Sequence, residues 1–148
     1  MDFEKGLPLY VSGKVTTGFG RGSKELGIPT ANYSDEVVRS LPTDLETGVY
    51  GGWAQVDGGH VHKMVMSVGW NLFYNNKEKT MEIHILHPFD KPFYGAEMKV
   101  CVVNYIRPMT DFSSVDELIA AIKTDIQTAQ RELDLPQYSK YKNDPYFS

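Results

Sequence analysis

The stretch Gly48-Val-Tyr-Gly-Gly-Trp-Ala-Gln-Val-Asp-Gly-Gly-His-Val-His-Lys-Met-Val-Met-Ser-Val-Gly-Trp70 decides the fold. Val49, Tyr50, Trp53 and Val56 favour an extended chain over Gly48–Val56. Gly51-Gly52 inside that run marks a bulge or a close approach of another backbone. Asp57-Gly58-Gly59 is a tight-turn signal, so the next run, His62–Trp70, returns antiparallel beside the first. Met64, Met66, Val68 and Trp70 then share one face of it.

Working outward, Tyr10–Thr17 reads as a first strand, rich in the β-branched residues Val11, Val15, Thr16 and Thr17. Asp35–Ser40 suits a single helical turn, stopped before Pro42. Asn71–Lys79 is polar and reads as a loop, Thr80–Leu86 as a strand, and His87–Ala96, with Pro88, Pro92 and Gly95, as a connection. Glu97–Ile106 is the last long strand. Strict alternation puts Met98, Val100, Val102 and Ile106 on one face and Cys101, Val103 and Tyr105 on the other. The period then changes. Leu118, Ile119, Ile122, Ile126, Ala129 and Leu133 recur at helical spacing, giving a C-terminal helix over about 114–134. Ser114 and Glu117 form a capping box at its start, and Pro136 closes it. The tail, 137–148, carries four aromatics and either docks on the body or stays disordered. Five or six short strands followed by one helix lack the crossover helices of a Rossmann sheet. The economical answer is mainly β: a closed antiparallel barrel, which has no exposed edges, with the helix packed on it.

The 148 residues fit a single domain, with a core over about 8–135, and 41% apolar residues supply one real interior. The net charge of −4 argues against a nucleic-acid partner, which needs a basic face. Lys14, Arg21 and Lys24 against Glu25 nevertheless leave one glycine-rich region locally positive, which suits a small anionic ligand better than a polymer. Cys101 is the single cysteine, so no intramolecular disulfide can form and a reducing compartment is expected. No apolar run approaches a membrane span, and the first residues do not read as a signal peptide. The expectation is a soluble, cytoplasmic monomer with no membrane span.

The glycine-rich region, Gly18-Phe-Gly-Arg-Gly-Ser-Lys-Glu-Leu-Gly-Ile-Pro-Thr-Ala-Asn32, is neither strand nor helix in pattern. Backbone without Cβ atoms, set beside Arg21 and Lys24, suits polyphosphate oxygens. Thr30 and Asn32 offer neutral oxygens of the kind a hard cation such as Mg²⁺ takes. The region fails both the dinucleotide fingerprint and the P-loop pattern, so an ordinary loop with turn residues stays open as a reading. Glu82 lies opposite Met81, Ile83 and Ile85 on its strand, with His84 on its own side. Such a carboxylate is commonly just solvated, but phosphoryl transfer to an alcohol needs one as general base. His60 and His62 share a face without an evident third metal ligand, and His84 and His87 lie near Glu82. Arg107 and Phe112 offer either a cation and ring face to a flat ligand or a salt bridge and a packing aromatic.

Gly18–Lys24, Leu26–Asn32 with its Pro-Thr-Ala-Asn, Gly48–Trp53, Ser67–Asn71, Lys79–His84, Phe93–Gly95 and Tyr105–Pro108 together resemble the eukaryotic monofunctional riboflavin kinases, over most of Tyr10 to about Leu135. The resemblance implies transfer of the γ-phosphate of ATP to the 5′-hydroxyl of riboflavin, giving FMN and ADP, on a six-stranded Greek-key β-barrel with a C-terminal helix. It implies Glu82 as catalytic base and Thr30 and Asn32 as ligands of Mg²⁺, or of another divalent ion such as Zn²⁺. Gly18 and Lys24 match nucleotide-contacting positions in a first flap loop, and Ile85, His87 and Tyr94 match positions around the adenosine. Arg107, Thr110 and Phe112 match positions in a second flap loop over the flavin. Leu72 and Ile83 depart from the family pattern without removing a functional group, and no nucleotidyltransferase module precedes this one, so FAD synthesis is not expected. The competing class is a non-catalytic flavin- or nucleotide-binding barrel, which has no need of Glu82 beside the glycine-rich loop.

Overall fold

The computed structural model describes residues 7–16, 30–33, 35–42, 45–70, 79–87, 95–110 and 112–147. In chain order these form β1 (Leu9–Thr16), β2 (Thr30–Tyr33), a helical turn α1 (Asp35–Arg39), β3 (Gly48–Val56), β4 (Val61–Trp70), β5 (Lys79–Ile85), β6 (Glu97–Arg107) and the long helix α2 (Val115–Glu132). A short helix α3 (Pro136–Ser139) and two 3-10 turns, Lys140–Asn143 and Pro145–Phe147, follow. The protein is mainly β with a C-terminal helix, as its sequence pattern implies.

Five strands make the body of an antiparallel curled sheet, pairing in the order β1, β6, β3, β4, β5. The short β2 spans from β1 to β5 through two register pairs on each side: Val15 with Tyr33 and Thr16 with Asn32, then Thr30 with His84 and Ala31 with Ile83. The pairing order thus returns on itself. Residues 30–33 read as the end of a loop in the sequence, after Gly27 and Pro29, and tertiary contacts make them a strand instead. The anchor is Tyr33. Its ring is buried, and its hydroxyl donates to the Met98 carbonyl at 2.7 Å and lies 3.2 Å from that of Val11.

The sheet has two apolar faces. Val11, Val15, Tyr50, Met64, Met66, Val68, Met81, Ile83, Ile85, Met98, Val100 and Val102 fill the concave interior. Val49, Trp53, Val65, Cys101 and Val103 face outward and are covered by Ala129 of α2, by Leu133 at its C-cap and by Phe147. Strict alternation fails in β6. Gly51 pairs with Asn104 but Gly52 with Val102, and Tyr50 pairs with Tyr105 but Val49 with Arg107, so Val103 and Ile106 are extra residues at two bulges. Tyr105 therefore turns inward, its ring 5.1 Å from that of Tyr50, while Ile106 packs on the outer cluster. The first bulge returns Asn104 to the outer face, where its amide donates to Glu132 of α2 at 2.8 Å. The second returns Arg107 to that face as well.

Helix α2 begins as its capping residues dictate. Ser114 Oγ accepts from the Glu117 backbone N–H at 3.2 Å, and the Glu117 carboxylate accepts in turn from the Ser113 N–H and hydroxyl. These two bonds hold the Glu117 carboxyl below its usual range. The tail docks rather than staying loose: Trp53 Nε1 donates to the Tyr138 carbonyl at 3.0 Å, and Gln55 Nε2 to that of Phe147 at 2.9 Å.

Gly51 and Gly52 differ sharply. A Cβ on Gly52 would overlap the Cys101 carbonyl oxygen, whereas one on Gly51 meets Ile106, Ala129 and Leu133 at 3.5 Å or more. Gly52→Ala is expected to cost about 1–3 kcal/mol or more, and Gly51→Ala about 1 kcal/mol or less. Urea unfolding reads both from the shift in midpoint.

Candidate functional site

The register aligns Arg107 of β6, Val49 of β3, Ser67 of β4 and Glu82 of β5 in one row across four strands. Directly paired residues share a face. Val49 belongs to the outer cluster, so Ser67, Glu82 and Arg107 also lie on the outer face. Three strand spacings separate Arg107 from Glu82, about 14 Å. The next row holds Asn104, Gly51, Val65, His84 and Thr30. Helix α2 lies over it, since the space beside Gly51 is bounded by Ala129 and Leu133. Continuing the β2–β5 register one step past Ala31–Ile83 brings Asn32 alongside Glu82.

One end of the first row is fixed by an ion pair. Arg107 Nε and Nη2 each donate at 2.8 Å to the two oxygens of Asp125, a carboxylate of α2 that is 4% exposed. Nη1 donates to the Pro108 carbonyl at 3.1 Å and lies 3.5 Å from Thr110 Oγ1. The guanidinium sits 5.8 Å from the Phe112 ring centre. The three residues expected in the second flap loop are thus brought together around one cation. Asp125 was not singled out in the sequence, although a carboxylate three residues after Ile122, beside an apolar stripe, is a readable sign of a buried partner.

At the other end Glu82 is half-buried on the outer face. Two residues along the same face, His84 is 7% exposed, and among the described residues its Nδ1 has no hydrogen-bond partner. Burial lowers its pKa below the ordinary histidine value, with Asp125 acting weakly in the opposite sense. Ile85, expected near the adenosine, has its side chain in the concave core at 1% exposure. His87 is exposed just past β5, its ring stacked on that of His62 at 3.9 Å and 13°. Among the described residues no group of three or more His, Cys, Asp or Glu is disposed to hold a metal ion. Burial pushes the Cys101 thiol up to about 12, consistent with an inert core residue. Thr30 and Asn32 are placed by the register above, while Gly18, Lys24 and Tyr94 lie outside the described residues. Among the described residues no helix is long and apolar enough to cross a membrane.

Compared with known proteins, residues 5–133 match the flavokinase family model, described as riboflavin kinase. The chain belongs to the riboflavin kinase family. The riboflavin kinase of Mus musculus is 52% identical over 143 residues, spanning 97% of this chain and 92% of the mouse protein. The riboflavin kinase of Homo sapiens is 52% identical over 141 residues, spanning 95% and 91%. The crystal structure of riboflavin kinase from Trypanosoma brucei superposes with a TM-score of 0.73 at 30% identity, covering 95% of this chain and 88% of that one.

His84 gives the fold a pH dependence with a definite sign. Its pKa is depressed in the folded protein, so its contribution to stability is complete above the unfolded value of about 6.5 and is lost as pH falls below it. Thermal unfolding from pH 7.5 to 5 should show Tm falling through that window. In His84→Phe the fall should be shallower.

Proposed function

We propose that this member of the riboflavin kinase family transfers the γ-phosphate of ATP to the 5′-hydroxyl of riboflavin, yielding FMN and ADP, with Glu82 as general base. The carrying observation is the outer row: Glu82 at one end, Arg107 with Thr110 and Phe112 at the other, and Asn32 of β2 alongside Glu82 in the continued register. On this reading the flavin rings rest by Arg107 and Phe112, and the ribityl chain reaches toward Glu82. The carboxylate takes the hydroxyl proton as that oxygen bonds to the γ-phosphorus. The bond from the γ-phosphorus to the β-phosphate oxygen breaks, and ADP leaves. Alignment of the two substrates supplies much of the rate.

Ile85 and His87 lie on the face of β5 opposite Glu82 by alternation. Nucleoside and flavin therefore approach from different sides, and Gly18, Lys24 and Tyr94 complete the nucleotide site. Ile85 acts there through its main chain, since its side chain is in the core. Thr30 and Asn32, an oxygen donor pair across from His84 and Glu82, fit a hard divalent ion, Mg²⁺ before Zn²⁺. Such an ion neutralises phosphate charge when bound. The same reading takes residues 1–148 as one catalytic domain built on a six-stranded Greek-key barrel closed through β2, working as a cytoplasmic monomer.

ATP consumption with riboflavin as acceptor tests the activity directly. Glu82→Gln should lower kcat roughly 10²–10⁴-fold while riboflavin fluorescence quenching reports binding near wild type. A fully active variant would remove Glu82 from the mechanism. Asn32→Ala should weaken nucleotide binding in the presence of Mg²⁺ but not in its absence. Calorimetry under both conditions decides, and an unchanged Mg²⁺ dependence would discard the ligand assignment.

A further inference from the structure

The two stacked imidazoles lie just past the end of the β4–β5 ladder. Met64 pairs with Ile85, and the Leu86 N–H donates to the Lys63 carbonyl at 2.8 Å. One further step in the same register sets His62 of β4 opposite His87. Their rings lie 3.9 Å apart and within 13° of parallel, at the rim of the concave face. The backbone bond at Leu86 fixes the frame, and the half-buried His62 fixes the plane of the exposed ring that follows it. A ring already stacked on a neighbour loses less freedom when a ligand lies on it.

We infer that His62 is a positioning residue for the nucleotide's base, holding the His87 ring as a pre-set flat surface against which the adenine is placed. This inference rests on the reading that His87 lies at the adenosine. It assigns His62 no contact with the phosphates, the flavin or the transferred group. Its effect therefore belongs in the binding of ATP and not in the chemical step. Its size follows from the worth of one aromatic pair, a factor of roughly 2–12.

The test is steady-state kinetics of the full chain carrying His62→Ala, His62→Phe or His87→Ala. The expected result is an ATP KM raised roughly 2–12-fold in His62→Ala, with kcat and the riboflavin KM unchanged. His62→Phe, which keeps a stacking ring, should return the ATP KM to near wild type. An unchanged ATP KM in His62→Ala beside a raised one in His87→Ala would overturn the positioning role. An unchanged ATP KM in His87→Ala would instead overturn the adenosine reading on which it stands. A fall in kcat with a rise in both KM values, or a failure of His62→Phe to rescue, would mark His62 as structural. Should His62→Ala unfold near assay temperature, His62→Asn carries the same comparison.

Discussion

The bidentate pair between Arg107 and Asp125 holds together the parts that matter most. It joins the end of the last strand to the middle of the long helix, through a carboxylate almost wholly withdrawn from water. A buried carboxylate that loses its partner is expensive, of order 3–5 kcal/mol, so the guanidinium is held in one place. Pro108, Thr110 and Phe112 gather around that fixed charge. Across the sheet, Val49 and Ser67 connect the same row to Glu82. The two ends of the row are therefore spaced by backbone hydrogen bonding, which is far stiffer than any loop.

That arrangement depends on two irregularities that offset each other. A single bulge in β6 would leave Arg107 pointing into the concave core, among apolar side chains. The second bulge restores it to the outer face. The glycine pair of β3 accommodates the disturbance: Gly52 has the Cys101 carbonyl against it, and Gly51 leaves room for α2 to lie close. The doubled bulge is thus the means by which one strand lines the core with Tyr105 and still delivers Asn104 and Arg107 to the helix.

Much of this was legible in the residues. The hairpin, the inward methionines of β4, the capping of α2 and the bulge signal at Gly51-Gly52 are local features, and each follows from short-range rules. The faces of Tyr105 and Ile106 were not legible, because alternation counts residues and cannot see an unpaired one. Residues 30–33 were missed as a strand because what holds them is Tyr33 reaching Met98, 65 positions away. Glu82 and Arg107 were named from their motifs, and the register puts them in one row. Asp125 and the His62–His87 stack went unseen because each is defined only by what lies across from it.

The docked tail has a consequence of another kind. Trp53 and Gln55 sit on the outer wall; the indole N–H donates to the Tyr138 carbonyl, and the Gln55 amide donates to the carbonyls of Phe147 and Gly59. Tyr146 adds a hydroxyl bond to the Val11 carbonyl of the first strand. Loss of this segment would leave the Trp53 indole without that acceptor at an apolar seam, reduce the Gln55 amide to its bond with the Gly59 carbonyl, and uncover Cys101 and Val103 beneath. The segment is a latch between the first strand and the outer wall, and an enzymatic nick there becomes a lesion in the wall itself.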